Sequence, residues 1–251
     1  MQLNLFKKTA LVTGSSKGIG LAIAQALHAE GCQVALNGRN SEDLSAATQQ
    51  LTGSIGIVGD VTQPAQARNI VSEVLNSFGQ LDILVCNVGS GKSAPPGNET
   101  AEEWQRVFAL NLWSATNTVE AAREALARTK GVIVCITSIC GLEVVPGAPV
   151  TYSAAKAALH AYVRGIARPL GRQGIRINAL APGNILFDGS VWSDKMAKEP
   201  QVVKQIVDSE VALGRLGIPS EVASLVLYLA SSEASFATGG IWALDGGQVR
   251  A

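Results

Sequence analysis

Residues 9–29 decide the fold, and they read Thr9-Ala-Leu-Val-Thr13, Gly14-Ser-Ser-Lys-Gly-Ile-Gly20 and Leu21-Ala-Ile-Ala-Gln-Ala-Leu-His-Ala29. The first part is apolar and β-branched, which predicts a buried strand, and the last is rich in Ala and Leu, which predicts a helix. A glycine-rich turn between the two is typical of a phosphate site, because backbone N–H groups at the helix N-terminus face the anion. The spacing is G-x-x-x-G-x-G rather than the common G-x-G-x-x-G. The predicted nucleotide contacts are Gly14, Ser15, Ser16, Lys17, Gly18, Ile19 and Gly20.

The alternation of strand and helix continues along the chain. Further strands are predicted at 33–37, 54–61, 81–86, 131–138, 175–180 and 241–247, and further helices at 41–51, 64–78, 100–128, around 152–156 and at 219–229. Such alternation implies a parallel sheet with helices on both faces. We therefore predict one α/β domain over residues 1–251, a Rossmann-type doubly wound sheet of about seven strands. Residues 184–218 are less regular, and we expect them to form a substrate lid.

Composition narrows the class of protein. Of 251 residues, 47% are hydrophobic and 16% charged, which is ample for a sizeable core, and the 20 Lys and Arg balance the 20 Asp and Glu. No charge run points to nucleic acid or to a membrane surface, and no apolar run approaches the ~20 residues of a membrane span. Four cysteines without a C-x-x-C pair and two isolated histidines argue against a metal site. We expect a soluble cytoplasmic protein, with structural thiols and surface or interface histidines.

The residues after the second strand indicate the type of nucleotide. An acidic residue there would hold a ribose 2′-hydroxyl, whereas a basic residue accommodates a 2′-phosphate. This chain has Asn37, Gly38 and Arg39, and its next acid is Glu42; Lys17 adds a second cation on the same side. The pattern favours NADP(H) over NAD(H), the alternative being that both cations are ordinary solvated surface charges.

Tyr152 and Lys156 lie four residues apart in Val150-Thr-Tyr-Ser-Ala-Ala-Lys-Ala-Ala-Leu159, so on a helix they share one face. A phenol titrates near pH ~10, and a nearby ammonium favours the phenolate. The pair suits proton transfer to or from an alcohol or carbonyl oxygen. The spacing alone also fits an ordinary helix. Asn111 in mid-helix and Ser138 at the end of a strand are two further candidates.

The ordered motifs resemble the short-chain dehydrogenase/reductase family over essentially the whole chain. They are Thr13-Gly-Ser-Ser-Lys-Gly-Ile-Gly20, Asp60-Val61, Cys86-Asn-Val-Gly89, Asn111, Ser138, Tyr152-x-x-x-Lys156, Pro182-Gly183 and Asp245-Gly-Gly. The resemblance implies that Tyr152 exchanges a proton with the substrate oxygen, that Lys156 holds the nicotinamide ribose and lowers the Tyr pKa, and that Ser138 bonds the substrate oxygen. Asn111 would anchor a water in the proton relay.

The resemblance also implies the remaining cofactor contacts and the assembly. The adenine would lie between Asp60 and Val61, and the nicotinamide under Pro182, Gly183 and Ile185. Asn87, Val88 and Gly89 would line the ribose side. A homotetramer, or a homodimer, would use the 151–171 helix and the C-terminal strand.

Three positions depart from the family pattern. Cys86 stands where an Asn is usual, and Asn184-Ile-Leu-Phe187 lacks a Thr that bonds the cofactor amide in many members. Pro169 predicts a kink or an early end of the Tyr152 helix.

We read the chain as an NADP(H)-dependent oxidoreductase that transfers a hydride between nicotinamide and a ketone or secondary alcohol. Its general resemblance is to 3-oxoacyl-(acyl-carrier-protein) reductases, so the substrate is a small carbonyl or alcohol, free or carrier-linked. Arg128, Lys130 and Arg172 would offer a basic rim to an acidic carrier, unless they are simply solvated. One alternative is a dehydrogenase of a sugar, polyol or nucleotide-sugar in a secondary biosynthetic pathway, with Asp188, Ser190 and Trp192 contacting the sugar. The other is a non-catalytic NADP-binding regulator.

Overall fold

A computed structural model describes residues 2–249, and its centre is a parallel sheet. The strands are Thr9–Val12 (β1), Gln33–Gly38 (β2), Ile55–Val58 (β3), Ile83–Cys86 (β4), Val132–Ile136 (β5), Arg176–Pro182 (β6) and Ile241–Leu244 (β7). Their order is β3-β2-β1-β4-β5-β6-β7, with every neighbouring pair parallel. The predicted doubly wound sheet of seven strands is confirmed.

Helices cover both faces of the sheet. They are Gly18–Ala29 (α1), Ser41–Gln49 (α2), Pro64–Phe78 (α3), Ala101–Phe108 (α4), Ser114–Thr129 (α5), Val150–Gly171 (α6), Val191–Lys198 (α7), Pro200–Glu210 (α8) and Pro219–Ala230 (α9). Apolar residues of α1, α2 and α9 form one core cluster with the sheet, and those of α3, α5 and α6 form the other. The five inner strands are buried on both faces, which explains why they read as largely apolar runs, whereas the edge strands β3 and β7 are partly exposed.

The helices differ from the predictions in three places. The predicted 100–128 helix is interrupted at Ala109–Trp113 by a π-helical turn, which joins α4 to α5. Helix α6 continues past Pro169 to Gly171, so an end at the proline is wrong. Residues 184–218 are more regular than predicted, because they contain α7 and α8. Ser190 caps α7 by accepting the Ser193 N–H, and Pro200 occupies the first turn of α8.

Candidate active site

The candidate site lies at the carboxyl edge of the sheet, where the strand order reverses between β1 and β4. Open α/β sheets bind ligands at this point. A cavity of about 700 Å³ opens there, between the loops after β1, β4, β5 and β6. The predicted site residues that line it are Gly14, Lys17, Ile19, Gly20, Asn87, Gly89, Ser138, Tyr152, Lys156, Pro182, Gly183 and Ile185. One cavity therefore brings together most of the predicted cofactor and catalytic residues.

The glycine loop has a backbone that side chains would obstruct. Gly14 and Gly18 have φ angles of +61° and +59°, in the left-handed region that favours glycine. A Cβ at Gly20 would collide with the Gly14 carbonyl oxygen and lie 2.5 Å from Asn87 Nδ2. Lys17, the N-cap of α1, makes no side-chain cap hydrogen bond. The first N–H groups of α1 are therefore available to an anion.

Ser15 and Asn37 hold the loop instead of reaching into the cavity with their side chains. Ser15 Oγ donates to the Val12 carbonyl (2.7 Å) and accepts the Asn37 N–H (3.0 Å). The Asn37 amide is buried and donates to the carbonyls of Ile57 and Gly59, both at 3.1 Å. The Ser15 side chain therefore connects β1 to β2, and the Asn37 side chain connects β2 to β3. Sequence spacing alone gave no sign of this burial.

Asn87 has a comparable role between β1 and β4. Its Nδ2 donates to the Thr13 carbonyl (3.0 Å) and the Gly14 carbonyl (2.9 Å). Val88 follows with its Cγ2 3.0 Å from where a Gly14 Cβ would lie. These contacts fix the floor of the cavity next to the glycine loop.

The far end of the site lies beyond the carboxyl ends of β2 and β3. Arg39 is 71% exposed, and its Nη1 lies 3.8 Å from an Asp60 carboxylate oxygen. Ser16 Oγ would contact a Cβ at Gly38 at 3.5 Å, so the glycine loop reaches this end too. Val61 is buried, and its carbonyl accepts from Asn117 Nδ2. The exposed cation next to the glycine loop is the feature that bears on a 2′-phosphate.

Lys156 is almost fully buried, at 3% exposure, on the face of α6 that points at β5. Its Nζ donates to the Ile136 carbonyl (3.1 Å) and lies 5.8 Å from the centroid of the Tyr152 ring. Burial lowers the pKa of Lys156 from 10.5 to about 8, because desolvation disfavours the ammonium. The ammonium is still the majority form at neutral pH.

Tyr152 is half-buried and lines the cavity beside Ser138. Burial raises the pKa of Tyr152 to about 12, although the Ser138 hydroxyl acts to lower it. Lys156 Nζ bonds the Ile136 carbonyl, and its expected lowering of the Tyr152 pKa stays a prediction. The phenol is therefore protonated and suited to donate a proton. Ser138 Oγ accepts the Cys140 N–H at 3.2 Å, and the hydroxyl also hydrogen-bonds the Tyr152 phenol, which places the two groups side by side in the cavity.

Asn111 lies in the π-helical turn behind the cavity, 1% exposed. Its Oδ1 accepts the Ser90 N–H (3.0 Å), and its Nδ2 donates to the Ser90 carbonyl (3.2 Å). A Cβ at Gly89 would lie 2.8 Å from Asn111 Oδ1 and 2.9 Å from Lys156 Nζ. Gly89 is thus the spacer that lets the loop after β4 approach both residues. π-helical turns are frequent at functional sites.

Residues that the sequence did not single out for the site also line the cavity. They include Ser90, Gly91, Thr137, Cys140, Lys195, Ile206, Glu210, Gln248 and the loop 145–149. Cys140 follows Ser138 by two residues and is half-buried, whereas the sequence suggested a structural thiol. The position of Cys140 two residues after Ser138 is the signal that could have marked it as a site residue. The sequence around Gln248 contains no motif that would mark it as one.

The 184–218 segment closes one side of the cavity. Lys92, in the loop after β4, pairs with Asp194 of α7 at 2.9 Å. Lys195 Nζ lies 5.0 Å from the Trp192 ring centroid. The Phe187 ring packs on the glycine loop, so that a Cβ at Gly18 would lie 2.5 Å from its Cε2. The segment therefore touches both the loop after β4 and the start of α1.

Two orphaned polar atoms and the glycine cradle fit a dinucleotide cofactor. Asn184 Nδ2 and Gln248 Oε1 are buried without a hydrogen-bond partner, and both residues line the cavity. Gly183 lies next to them, where a Cβ would be 3.2 Å from Gln248 Oε1. Buried polar groups normally have partners, so an unpaired donor and acceptor point to polar atoms of a ligand. A carboxamide, as in nicotinamide, carries both complementary groups.

Two other kinds of site are not found between residues 2 and 249. Among these residues no group of three or more His, Cys, Asp or Glu side chains is arranged to hold a metal ion. No helix in the same range combines the length and apolar character needed to cross a membrane.

Comparison with known proteins decides the family. The family profile described as "Enoyl-(Acyl carrier protein) reductase" matches residues 14–248. A crystal structure of a short-chain type dehydrogenase/reductase from Mycobacterium marinum has a TM-score of 0.88 and 31% identity, covering 100% of this chain and 98% of that one. The chain belongs to the short-chain dehydrogenase/reductase family. It is an oxidoreductase acting on alcohol or carbonyl groups, on a fold that binds a nicotinamide cofactor.

Similar members of the family differ in substrate. L-fucose dehydrogenase of Mus musculus is 35% identical over 235 residues, covering 92% of this chain and 85% of that protein. 3-Oxoacyl-(acyl-carrier-protein) reductase of Chlamydia trachomatis serovar D is 34% identical over 249 residues, covering 97% and 98%. The structure of L-sorbose reductase from Gluconobacter frateurii complexed with NADPH and L-sorbose has a TM-score of 0.94 and 27% identity, covering both chains fully.

Proposed function

We propose that this short-chain dehydrogenase/reductase is an NADP(H)-dependent ketone reductase, or secondary-alcohol dehydrogenase in reverse. The observation that carries the proposal is the convergence of Ser138, Tyr152 and Lys156 on one wall of a cavity whose other end is the glycine loop. A phenol with a pKa of about 12 and an ammonium with a pKa of about 8 are a protonated acid and a cation at neutral pH. That set fits carbonyl reduction, and it does not support a non-catalytic regulator.

In this mechanism the chain's own residues orient the carbonyl and move the proton. Ser138 donates its O–H to the substrate oxygen, and Tyr152 passes its phenolic proton to that oxygen as negative charge develops there. A bound NADPH supplies the hydride to the carbonyl carbon. The Lys156 ammonium, fixed to Ile136, holds the ribose hydroxyls and favours the phenolate that proton transfer leaves behind.

For the re-protonation of Tyr152, we propose that a proton moves from water near Asn111 past Lys156 to the phenolate. The Asn111 amide already bonds both backbone groups of Ser90. We therefore assign the water contact to the backbone of the π-helical turn instead of the side chain. Gly89 keeps the space between Asn111 and Lys156 free of side-chain atoms.

The preference for NADP(H) rests on two cations. Lys17 is exposed and lines the cavity, and Arg39 is 71% exposed beyond β2. Asn37, where an acid would hold a 2′-hydroxyl, has its amide committed to β3. Asp60 lies within 3.8 Å of Arg39, so binding of a 2′-phosphate would draw the guanidinium away from that carboxylate.

A 3-oxoacyl thioester or a similar apolar ketone is the first substrate candidate. Away from the glycine loop, the apolar residues that line the cavity include Val145, Pro146, Pro149, Trp192 and Ile206. Such walls suit an acyl chain. The basic residues Arg128, Lys130 and Arg172 do not support docking of an acidic carrier protein at this cavity. Lys130 and Arg172 follow the C-termini of α5 and α6, at the edge where the strands begin, and Arg128 pairs with Glu124 at 2.8 Å.

A sugar or polyol is the second candidate, favoured by one feature. Trp192 offers a flat apolar face, and Ser190 and Glu210 supply polar groups around the same cavity. Aromatic faces with a few polar groups suit a pyranose or an open-chain ketose. The named relatives that act on L-fucose and L-sorbose make this candidate worth testing.

We also propose that the chain is a single domain whose 184–218 segment is the substrate lid, and that it assembles as a homotetramer or homodimer. The Lys92–Asp194 pair and the Phe187–Gly18 contact support the lid. Exposed aromatic residues support assembly: Trp104 and Trp113 lie beside the α4–α5 junction, and Phe236 is fully exposed before edge strand β7. Light scattering on the purified protein tests the assembly.

The function is tested by titrating NADPH and NADH, followed by nicotinamide absorbance with a panel of a 3-oxoacyl thioester, small diketones, L-fucose and L-sorbose. We expect tighter binding of NADPH and turnover of one substrate class, abolished in Tyr152→Phe without loss of NADPH binding. Turnover of thioesters only supports the first candidate, and turnover of sugars only supports the second. Binding without any turnover, or unchanged turnover in Tyr152→Phe, would refute the proposal.

A further inference from the structure

His160 lies on α6 one turn after Lys156 and two turns after Tyr152, so all three share one face of the helix. The sequence predicted a surface or interface histidine, but the side chain is only 3% exposed. Its Nε2 lies 2.8 Å from Thr137 Oγ1, and Thr137 immediately precedes Ser138. His160 therefore lies directly behind the strand end that carries the serine hydroxyl.

The hydrogen bonds of Thr137 determine the tautomer of His160. The Leu180 carbonyl, an acceptor only, lies 2.9 Å from Thr137 Oγ1 and also accepts the Thr137 N–H at 2.7 Å. The single hydroxyl proton of Thr137 therefore goes to Leu180, and its oxygen accepts from His160. This assignment places the imidazole proton on Nε2; Nδ1 is buried without a well-formed hydrogen bond, although the Gly141 backbone interacts with the ring.

His160 also touches the far end of the turn that carries Ser138. A Cβ at Gly141 would lie 2.9 Å from His160 Cε1, and 2.7 Å and 2.8 Å from backbone atoms of Lys156 and Ala157. The 3₁₀ turn Ile139–Gly141 thus rests directly on α6. Ser138 is held between two contacts to one imidazole, Thr137 before it and Gly141 after it.

We propose that His160 is a positioning residue that sets the Ser138 hydroxyl relative to Tyr152 and Lys156, acting through the Nε2–H bond to Thr137. A leucine at 160 would fill the space without burying a polar ring that has an unpaired nitrogen, so the imidazole costs stability that an apolar residue would not. The hydrogen bond to the residue before Ser138 is what the imidazole adds. The inference rests on the proposed function, because it assumes that Ser138 orients the carbonyl.

The test combines a double-mutant cycle with a conservative replacement. Wild type, His160→Leu, Thr137→Val, the double variant and His160→Gln are compared for kcat, KM and the Kd of NADPH. Gln places an amide N–H where Nε2–H stands, and His28→Leu, at the surface histidine that contacts the Thr52 carbonyl, is the matched control. Displacement of a catalytic group by about 1 Å can cost on the order of 100-fold, so we expect kcat to fall roughly 10- to 100-fold in His160→Leu and Thr137→Val.

The pattern of losses distinguishes positioning from general stability. We expect the double variant to be no slower than the slower single variant, His160→Gln to recover most of kcat, and the Kd of NADPH to stay within about twofold of wild type. Wild-type kcat in His160→Leu, multiplying losses in the double variant, or a His160→Gln as slow as His160→Leu would each overturn the proposal. If His160→Leu does not fold, Thr137→Val decides alone, and wild-type kcat there overturns it.

This outcome is separable from that of the proposed function. An active wild type with an inactive Tyr152→Phe, together with an unaffected His160→Leu, refutes only the role of His160. A wild type without turnover on the panel refutes the proposed function itself.

Discussion

Replacing Gly89 by alanine tests the geometry of the site more sharply than removing any catalytic group. The added methyl would lie 2.8 Å from Asn111 Oδ1 and 2.9 Å from Lys156 Nζ, where ordinary contacts begin near 3.4 Å. Each atom must then retreat by about half an ångström. Both are tethered, Asn111 Oδ1 to the Ser90 N–H and Lys156 Nζ to the Ile136 carbonyl. The retreat therefore strains or breaks hydrogen bonds at the reacting end of the cavity.

The expected magnitudes follow from that displacement. Overpacking costs about 1–3 kcal/mol, and side-chain ends yield more easily than backbone, so we expect about 1 kcal/mol and a Tm roughly 2–4 °C lower. A shift of half an ångström at Lys156 should lower kcat roughly tenfold. Steady-state kinetics and thermal unfolding measure both quantities.

Gly91→Ala is the matched control in the same loop. A Cβ there would meet only the Tyr152 ring, at 3.9 Å, which is an ordinary contact. We expect wild-type Tm and kcat within about twofold. Equal kcat for Gly89→Ala and Gly91→Ala would show that the approach of the loop to Lys156 does not matter, and the reasoning about the site would fail.

Three further predictions concern charge. Arg39→Ala should raise the Kd of NADPH roughly 10- to 100-fold and leave that of NADH within about twofold, since only NADPH carries the 2′-phosphate; equal losses in a fluorescence titration would contradict this. Because the pKa of Lys156 is about 8, kcat for reduction at saturating NADPH should fall as pH rises above 8, and a flat profile to pH ~10 would contradict the role of its ammonium. Burial lowers the pKa of His160 from 6.5 to about 4, so the unfolded chain takes up this proton first as pH falls. Between pH 6.5 and 4, the free energy of unfolding should therefore fall by roughly 3 kcal/mol more in wild type than in His160→Leu. Urea unfolding at both pH values measures this, and equal falls in the two proteins would refute it.

Hydrophobic pattern and turn chemistry were enough to predict most of the fold. The buried strands stand out as apolar runs, and the glycine turn before α1 marks the nucleotide edge of the sheet. Helix α7 was missed although Ser190 is a cap signal, and α8 was missed although Pro200 is a first-turn signal. Both helices are short and largely exposed, so they carry too weak an apolar stripe to be recognised by periodicity.

The details of the site depend on contacts between distant parts of the chain, which local sequence patterns do not show. Asn37 and Ser15 are polar residues next to a glycine loop, and only the sheet register shows that their side chains bond neighbouring strands. Burial raises the pKa of Tyr152, and only three-dimensional packing shows that burial. The roles of Asn111, Ser138, Tyr152 and Lys156, the NADP(H) preference, the cytoplasmic location and the assembly stay predictions.

The contact between Phe187 and Gly18 has a kinetic consequence for the whole cycle. The ring rests where α1 begins, at the N–H groups expected to receive the cofactor diphosphate. For a dinucleotide bound at the proposed diphosphate site, the ring would have to move off Gly18 before the cofactor enters or leaves, and motions of such segments are slower than diffusion across the cavity. The observed rate of cofactor association would then level off at high concentration. Release of the oxidised dinucleotide, rather than hydride transfer, would then set the pace of turnover.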